Sequence, residues 1–364
     1  MIYHIINAQV RHTSPSVIKV INYRFGNGQI KDKPFYCITR FGREMLYSGI
    51  GDVYTDLMKE LNIKDYQFFD EDDELLKFLR KTHKRDKVVF HSVQTTKLWM
   101  KYNLTCVFNH RLARRSSIIC WGEADFTMGK TNFIKRLVRL MIGYTYSKFF
   151  AVVTLSVEDE KKLKSMYKGV NVSYLPYPGI IKKELFTDKH NTSLNIMVSH
   201  SGWPHNYHIE SFELISRFAG ENIDVHCPLC YGDPEYIAKV IEAGKKIFGE
   251  KFHYFTELKT SSEYYEWTKM MDIFIASANI QTGLGGLFGT LSGGAKIFVR
   301  GNLYSSLCEE GFIVFNTSEL KDMDFATFKE PMAIEKQRHN VEVYNEKRCG
   351  GKDLIEKWKL FFDE

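Results

Sequence analysis

Asp272-Ile-Phe-Ile-Ala-Ser-Ala-Asn-Ile-Gln-Thr-Gly-Leu-Gly-Gly-Leu287 begins as a hydrophobic run, turns polar, and then becomes glycine-rich. The run reads as a buried strand, and Gly283, Gly285 and Gly286 open the helix that follows. Glycine lets a ligand approach the backbone closely. The unpaired N–H groups of a helix start point at that ligand, and the helix dipole favours an anion there. The dipole is worth about 0.3–1 kcal/mol, rising to ~2 kcal/mol in partly buried geometry, so side chains must share in holding a substrate. Asn279, Gln281 and Thr282 are uncharged hydrogen-bonding groups suited to sugar hydroxyls or diphosphate oxygens. A tight structural turn is the plainer reading of the same glycines. No Gly-Lys-Ser/Thr follows, which excludes a Walker loop. The motif also does not follow the first strand of the chain, where a dinucleotide fingerprint belongs.

Outward from this stretch the pattern repeats. Asn195–Ser199, Asp224–Cys227, Phe252–Phe255, Asp272–Ala276, Lys296–Arg300 and Phe312–Phe315 read as strands. Tyr207–Ala219, Pro234–Phe248, Ser261–Met270 and Gly286–Ser292 read as the helices between them. Strands alternating with single helices predict a parallel sheet covered on both faces, wound by right-handed crossovers. The first half alternates in the same way, with short strands at Ile2–Ile6, Phe35–Ile38, Tyr66–Phe69, Val88–His91, Ile118–Trp121 and Val152–Leu155. Asp72–Arg80 starts acidic and sets Leu75, Leu76 and Leu79 on one helical face. From Tyr177 to Ser193 the periodicity is lost, which suggests a linker. The expected division is therefore an α/β chain of two Rossmann-like domains, residues 1–182 and 190–335. The helical stretch 336–364 is expected to pack back on the first domain.

The 364 residues include 44% apolar and 14% aromatic side chains, enough for two ordinary cores. A net charge of +6 is too modest for a nucleic-acid binder and suits phosphorylated ligands or an anionic surface. The seven cysteines have no regular spacing. Cys227-Pro-Leu-Cys230 is the one close pair, and core or loop thiols in a reducing compartment are the simpler reading. The amino-terminal residues lack the pattern of a signal peptide, and no apolar run approaches the ~20 residues needed to span a bilayer. Any membrane contact is therefore expected to be peripheral, at the cytoplasmic face.

Several motifs in order carry a resemblance. They are His91 with Leu98-Trp99, Trp121-Gly122-Glu-Ala-Asp125, Ser201-Gly202 with Asn206 and His208-Ile209, and Pro228 with Tyr231. Ala243-Gly244 with Ile247-Phe248, Glu257, and Gln281-Thr-Gly283-Leu-Gly285 complete them. Together they span Val88 to Val314. This order resembles GT-B glycosyltransferases, folds of two facing Rossmann-like domains. More closely, it resembles the TDP-4-acetamido-4,6-dideoxygalactose:lipid II transferases, the 4-alpha-L-fucosyltransferase-like family of enterobacterial common antigen synthesis. The resemblance implies a nucleotide-sugar donor held by Ser201, Gly202, Asn206, Glu257, Asn279, Gln281, Thr282, Gly283 and Gly285. It implies a polyprenyl-diphosphate-linked saccharide as acceptor, with Trp121 and Gly122 on the acceptor side and no metal or other cofactor. Many GT-B enzymes carry a glutamate for the ribose hydroxyls on the helix after the glycine loop. Gly289 stands there in this chain, a departure that a deoxyribose donor tolerates. A uridine or guanosine donor and a non-catalytic sugar-nucleotide scaffold remain the alternatives.

Asp125 is the expected general base for the acceptor hydroxyl, with Glu123 and His91 as rivals. Such a group must reach the proton and hold a suitable pKa. A helix-capping aspartate and a core histidine are the corresponding structural readings. His200, His205 and His208 lack an adjacent carboxylate, which weighs against a metal site. Lys130 to Met141 forms a basic amphipathic helix, with Phe133, Leu137, Leu140 and Met141 beside Lys135, Arg136 and Arg139. These three basic residues are expected to face an anionic membrane, although packing against a core would give a similar pattern.

Overall fold

The computed structural model describes residues 1–10, 13–40, 50–122, 124–127, 133–280 and 283–363. The chain divides into two compact units. One holds Met1–Ile180 and Arg348–Glu364, and the other holds Ile181–Lys347.

The first unit runs β1 (Ile2–Asn7), α1 (Ser14–Gly26), β2 (Pro34–Thr39), α2 (Ile50–Glu60), β3 (Tyr66–Phe69), α3 (Asp72–Lys81) and β4 (Lys87–His91). It continues α4 (Thr96–Phe108), α5 (His110–Ala113), β5 (Ser116–Cys120), α6 (Ala124–Thr127), α7 (Phe133–Tyr146), β6 (Ala151–Thr154), α8 (Val157–Met166) and β7 (Val172–Tyr174). Seven strands form a parallel sheet in the order β3-β2-β1-β4-β5-β6-β7. The central strands are buried on both faces, so their sequences are nearly continuous apolar runs. Helix α3 places three acids in its first turn and Arg80 and Lys81 in its last, matching its dipole at both ends.

The second unit runs β8 (Leu194–Val198), α9 (His208–Ile215), β9 (Ile223–Pro228), α10 (Pro234–Phe248), β10 (Phe252–Phe255), α11 (Ser261–Lys269) and β11 (Ile273–Ala276). It continues α12 (Leu284–Ser292), β12 (Lys296–Val299), α13 (Gly301–Glu310), β13 (Phe315–Asn316), α14 (Phe325–Lys329) and α15 (Ile334–Tyr344). Its six strands are parallel in the order β10-β9-β8-β11-β12-β13. The strand expected at Phe312–Phe315 is only Phe315–Asn316. Phe312 belongs instead to the turn closing α13, where its N–H donates to the Leu307 carbonyl.

The expected boundaries shift in one respect. The final helical stretch is not one body beginning at 336. Helix α15 stays with the second unit, where Asn340 bonds both the N–H and the carbonyl of Ile313. After the wide turns of Asn345–Gly350 the chain enters the first unit as α16 (Lys352–Asp363). Trp358 anchors it there, donating through Nε1 to the Pro176 carbonyl at 2.7 Å and stacking on Tyr177 at 5.4 Å. Arg24 of α1 donates to the Cys349 carbonyl at 2.8 Å and also bonds the Gly179 carbonyl. Trp358→Ala removes a ring that is 4% exposed. Losing a core tryptophan costs about 3–5 kcal/mol, so the urea midpoint of the first unit should fall accordingly, with the second unit's transition unmoved.

Candidate functional site

Ligands of open α/β sheets lie beyond the carboxyl ends of the strands, where strand order reverses. In the second unit that point is between β8 and β11, whose outgoing loops lead to α9 and α12 on opposite faces. The glycine-rich stretch is therefore one wall of the crevice, and Ser199 to His208 is the other.

Gly283 caps α12 with φ +67°, a left-handed conformation natural to glycine. A side chain there would strike the His200 ring, so Gly283 and His200 close the two loops against each other. His200 in turn lies 3.1 Å from Ser201 Oγ through Nε2. Gly285 is different: it is exposed, and a Cβ added to it meets open space. Asn279 is exposed as well, and its carbonyl accepts the Asn302 N–H at 3.1 Å. Gln281 and Thr282 lie outside the described residues.

Ser201, Gly202 and Asn206 come together, but inward. All three are buried. Asn206 Nδ2 donates to the Ser201 carbonyl at 2.7 Å and is 2.9 Å from its Oγ, so it braces the loop and does not cap α9. Gly202 bridges Gly232 through backbone bonds with Tyr231 and Asp233. A Cβ at either glycine would strike its neighbours. The structure thus makes these residues the scaffold of the crevice wall. Asn206 Nδ2 is spent on Ser201, while its Oδ1 is buried with no hydrogen-bond partner among the described residues. Glu257 is exposed on the loop before α11, where its carbonyl accepts from Cys230 Sγ at 3.1 Å. Gly289 faces α11, and a side chain there would collide with Thr268.

His205 stacks on Trp203 at 6.4 Å, while His208 is buried against Tyr236 at 5.8 Å. Among the described residues no group of three His, Cys, Asp or Glu side chains is placed to hold a metal ion.

In the first unit the reversal falls between β1 and β4. Gln94 fills it, bonding Thr39 Oγ1 at 2.9 Å and the His91 carbonyl at 3.0 Å. Beside it, Asp125 ties two strand ends together. Its Oδ1 accepts from Ser92 Oγ at 2.8 Å and Val93 N at 3.2 Å, and its Oδ2 accepts from Trp121 N at 2.7 Å. One acceptor position on Oδ2 is left over by this count. Burial raises the Asp125 carboxyl to about 6, against the lowering pull of those three hydrogen bonds. Gly122 is half-buried with open space where a side chain would be. Glu123 lies outside the described residues.

His91 does not suit the rival role of base. It is fully buried, with Nε2 3.0 Å from His4 Nδ1 and Nδ1 2.5 Å from Tyr177 Oη. Trp121 Nε1 donates to the same hydroxyl at 3.2 Å. Neither imidazole nitrogen is open to an acceptor. Tyr177 and Gln94 are the residues that local reading overlooked. Tyr177 sits where the periodicity ends, and its partner is 86 positions away.

Burial pulls His4 and His208 down to about 3, and it holds His91 well below the usual imidazole value, aided by the neighbouring His4. In the unfolded chain these rings take up protons below about pH 6.5. Each therefore costs about 1.4 kcal/mol of stability per pH unit as pH falls from there toward its folded value. Asp125 opposes them, since its raised pKa makes the folded state the better proton acceptor below about 6. In the first unit His4 and His91 act against Asp125, and in the second His208 acts with His226, which burial lowers to about 4, so both urea midpoints should drop between pH 6 and 4. His208→Phe should flatten the slope of the second unit alone.

Of the α7 cations, Arg136 is exposed. Arg139 is half-buried: its Nε donates to the Thr127 carbonyl at 2.9 Å, and its Nη2 bonds the same oxygen. The Lys135 side chain lies outside what is described.

Two doubly wound parallel sheets in tandem are the architecture of the GT-B class. The model of the family described as 4-alpha-L-fucosyltransferase, glycosyl transferase group 56, matches residues 1–345. The chain belongs to that family and is a glycosyltransferase. No curated protein matches it in sequence. Solved structures share the fold at low identity. A Rickettsia africae glycosyltransferase matches with a TM-score of 0.68 at 13% identity, covering 100% of this chain and 97% of that one. Anabaena HepE, in complex with UDP and glucose, matches at 0.67 and 9% identity, covering 100% and 99%. An E. coli trehalose-6-phosphate structure bound with UDP-2-fluoro glucose matches at 0.64 and 8%, again covering 100% and 99%.

Proposed function

We propose that the chain transfers a deoxyamino sugar, 4-acetamido-4,6-dideoxygalactose or a close relative, from a TDP-sugar to a polyprenyl-diphosphate-linked saccharide. The reaction serves bacterial surface polysaccharide synthesis of the enterobacterial common antigen or O-antigen type, at the cytoplasmic face of the inner membrane. The observation that carries this reading is the open start of α12 at the reversal point of the second sheet. Amides there stabilise the diphosphate as the sugar leaves, a role that needs no metal. The first unit takes the acceptor. Its hydroxyl oxygen bonds the anomeric carbon, the bond to the diphosphate breaks, and the hydroxyl proton passes to Asp125.

The packing of Thr268 against Gly289 favours a deoxyribose donor, because no acid can stand there for a 2′-hydroxyl. A uridine diphosphate sugar is the second reading, favoured by the UDP bound in HepE and in the E. coli neighbour. Purified protein should be incubated with radiolabelled TDP-, UDP- and GDP-sugars and membrane extract. Lipid-extractable label from the TDP-sugar alone supports the first reading, and label from a UDP-sugar supports the second. Binding without transfer to any acceptor makes the chain a scaffold and sinks both.

A further inference from the structure

Six exposed large apolar side chains lie on two neighbouring helices of the first unit. Met100, Leu104 and Phe108 line α4, and Leu137, Leu140 and Tyr144 line α7. Phe108 is 84% exposed and Leu140 66%. Their spacing makes one ridge along each helix. The opposite faces hold the pair together: Trp99 packs on Tyr146 at 6.1 Å, and Thr145 bonds Asn103. Helix α4 joins β4 to β5 and α7 joins β5 to β6, neighbouring parallel strands in chain order. Right-handed crossovers put both helices on one side of the sheet, so both ridges face outward.

The charge of the chain gathers on the same segment. Residues 87–157 carry eleven Lys and Arg against Glu123 and Asp125. The remainder of the chain carries 39 basic and 42 acidic residues and is net negative. No acid occurs in α4, α5 or α7. Lys97 and Lys101 are paired with Asp72 and Asp73 of α3. Arg111, Arg114, Arg136 and Lys148 are exposed around the ridges, with Lys148 5.5 Å from the Tyr144 ring. Tyr144 Oη of α7 lies 3.2 Å from Nε2 of His110, the first residue of α5, which follows α4.

We propose that this α4–α7 face docks on an anionic lipid bilayer, its leucines and phenylalanine entering the headgroup region while the arginines meet lipid phosphates. The proposal rests on the reading that the acceptor is lipid-linked, and it names the surface that would bring the acceptor-binding unit to it. Contiguous apolar ridges are rare on monomeric proteins unless they serve as contact surfaces. Apolar side chains ringed by cations and free of acids match an interface of hydrocarbon beneath negative headgroups. No helix among the described residues is long and apolar enough to cross a membrane, so the contact is peripheral.

The full chain should be sedimented with phosphatidylcholine vesicles, with and without phosphatidylglycerol, at low and high salt. Binding is expected only with the anionic lipid and should weaken with salt. Each basic side chain near such a surface raises binding roughly five-fold, so Arg111→Glu/Arg114→Glu/Arg136→Glu should lose more than a hundred-fold. Phe108→Gln/Leu137→Gln/Leu140→Gln should release the protein too, with less change in the salt dependence. All six positions are exposed or near-exposed, so thermal midpoints should hold. Wild-type protein that ignores anionic vesicles, or variants that bind as wild type does, overturns the proposal. Self-association abolished by the glutamine variant, without vesicle binding, assigns the face to a second copy and also overturns it. Nucleotide-sugar binding measured by calorimetry on the same samples tells this failure from a failure of the donor reading.

Discussion

Asp125→Asn is expected to lower kcat by about 10²–10⁴-fold, the usual worth of a positioned general base. The amide nearly preserves shape but cannot take the acceptor proton. It also brings two hydrogens into a pocket built from donors, namely Ser92 Oγ, Val93 N and Trp121 N. Losing one or two of those bonds costs about 1–3 kcal/mol, so the thermal midpoint should fall as well. The pH profile separates the two effects. With its carboxyl raised to about 6 by burial, Asp125 is ionised and competent above that pH, and wild-type kcat should fall as pH drops through it. The variant should lose this acid limb while keeping donor affinity in calorimetry. A variant that is merely less stable, with kcat and its acid limb intact at a temperature where it is folded, would reduce Asp125 to a brace between β4 and β5.

Gly285→Leu should leave the fold sound and cut donor affinity by about 10–100-fold. Glycine in a helix costs about 1 kcal/mol relative to good helix formers. The leucine meets only open space, so stability should be unchanged or raised. Under the proposed reading its side chain stands where the diphosphate approaches the first-turn amides. Hydrogen bonds to charged groups are worth about 1.5–3 kcal/mol each, and 1.4 kcal/mol is tenfold in affinity. Gly285→Ala should fall between. Gly283 is the poorer probe: any side chain there meets His200 and a left-handed backbone, so lost binding would be confounded by a displaced loop. Donor affinity unchanged in Gly285→Leu, measured by calorimetry with the nucleotide sugar, would take the helix start out of the site.

How much was legible depended on distance along the chain. The strands and helices of the second half were readable because apolar runs and glycines announce them locally, as Asp272 to Leu287 does. The glycine helix start and the reversal-point loops followed from residues close in sequence. Roles were harder. The resemblance assigns Ser201 and Asn206 to the donor, but nothing local to them shows that both are buried and that Asn206 Nδ2 bonds Ser201. Arg139 reads as a membrane cation because its neighbours are basic, and no local pattern shows its bond to the Thr127 carbonyl. The exposed ridge on α4 went unread because nothing in its sequence says which of its apolar faces the sheet will cover.

The amino-acid order by itself determined the alternation of strand and helix, the doubly wound class and the glycine-lined start of α12, since each depends on periodicity and backbone freedom within a few residues. The tertiary structure alone decided that Tyr177 closes over His91, that Thr268 occupies the space beside Gly289, and that the chain returns to its first unit only at Arg348. Those outcomes follow from which surfaces meet when the sheets are wound. Burial then sets which polar groups must satisfy one another and which stay open to a ligand.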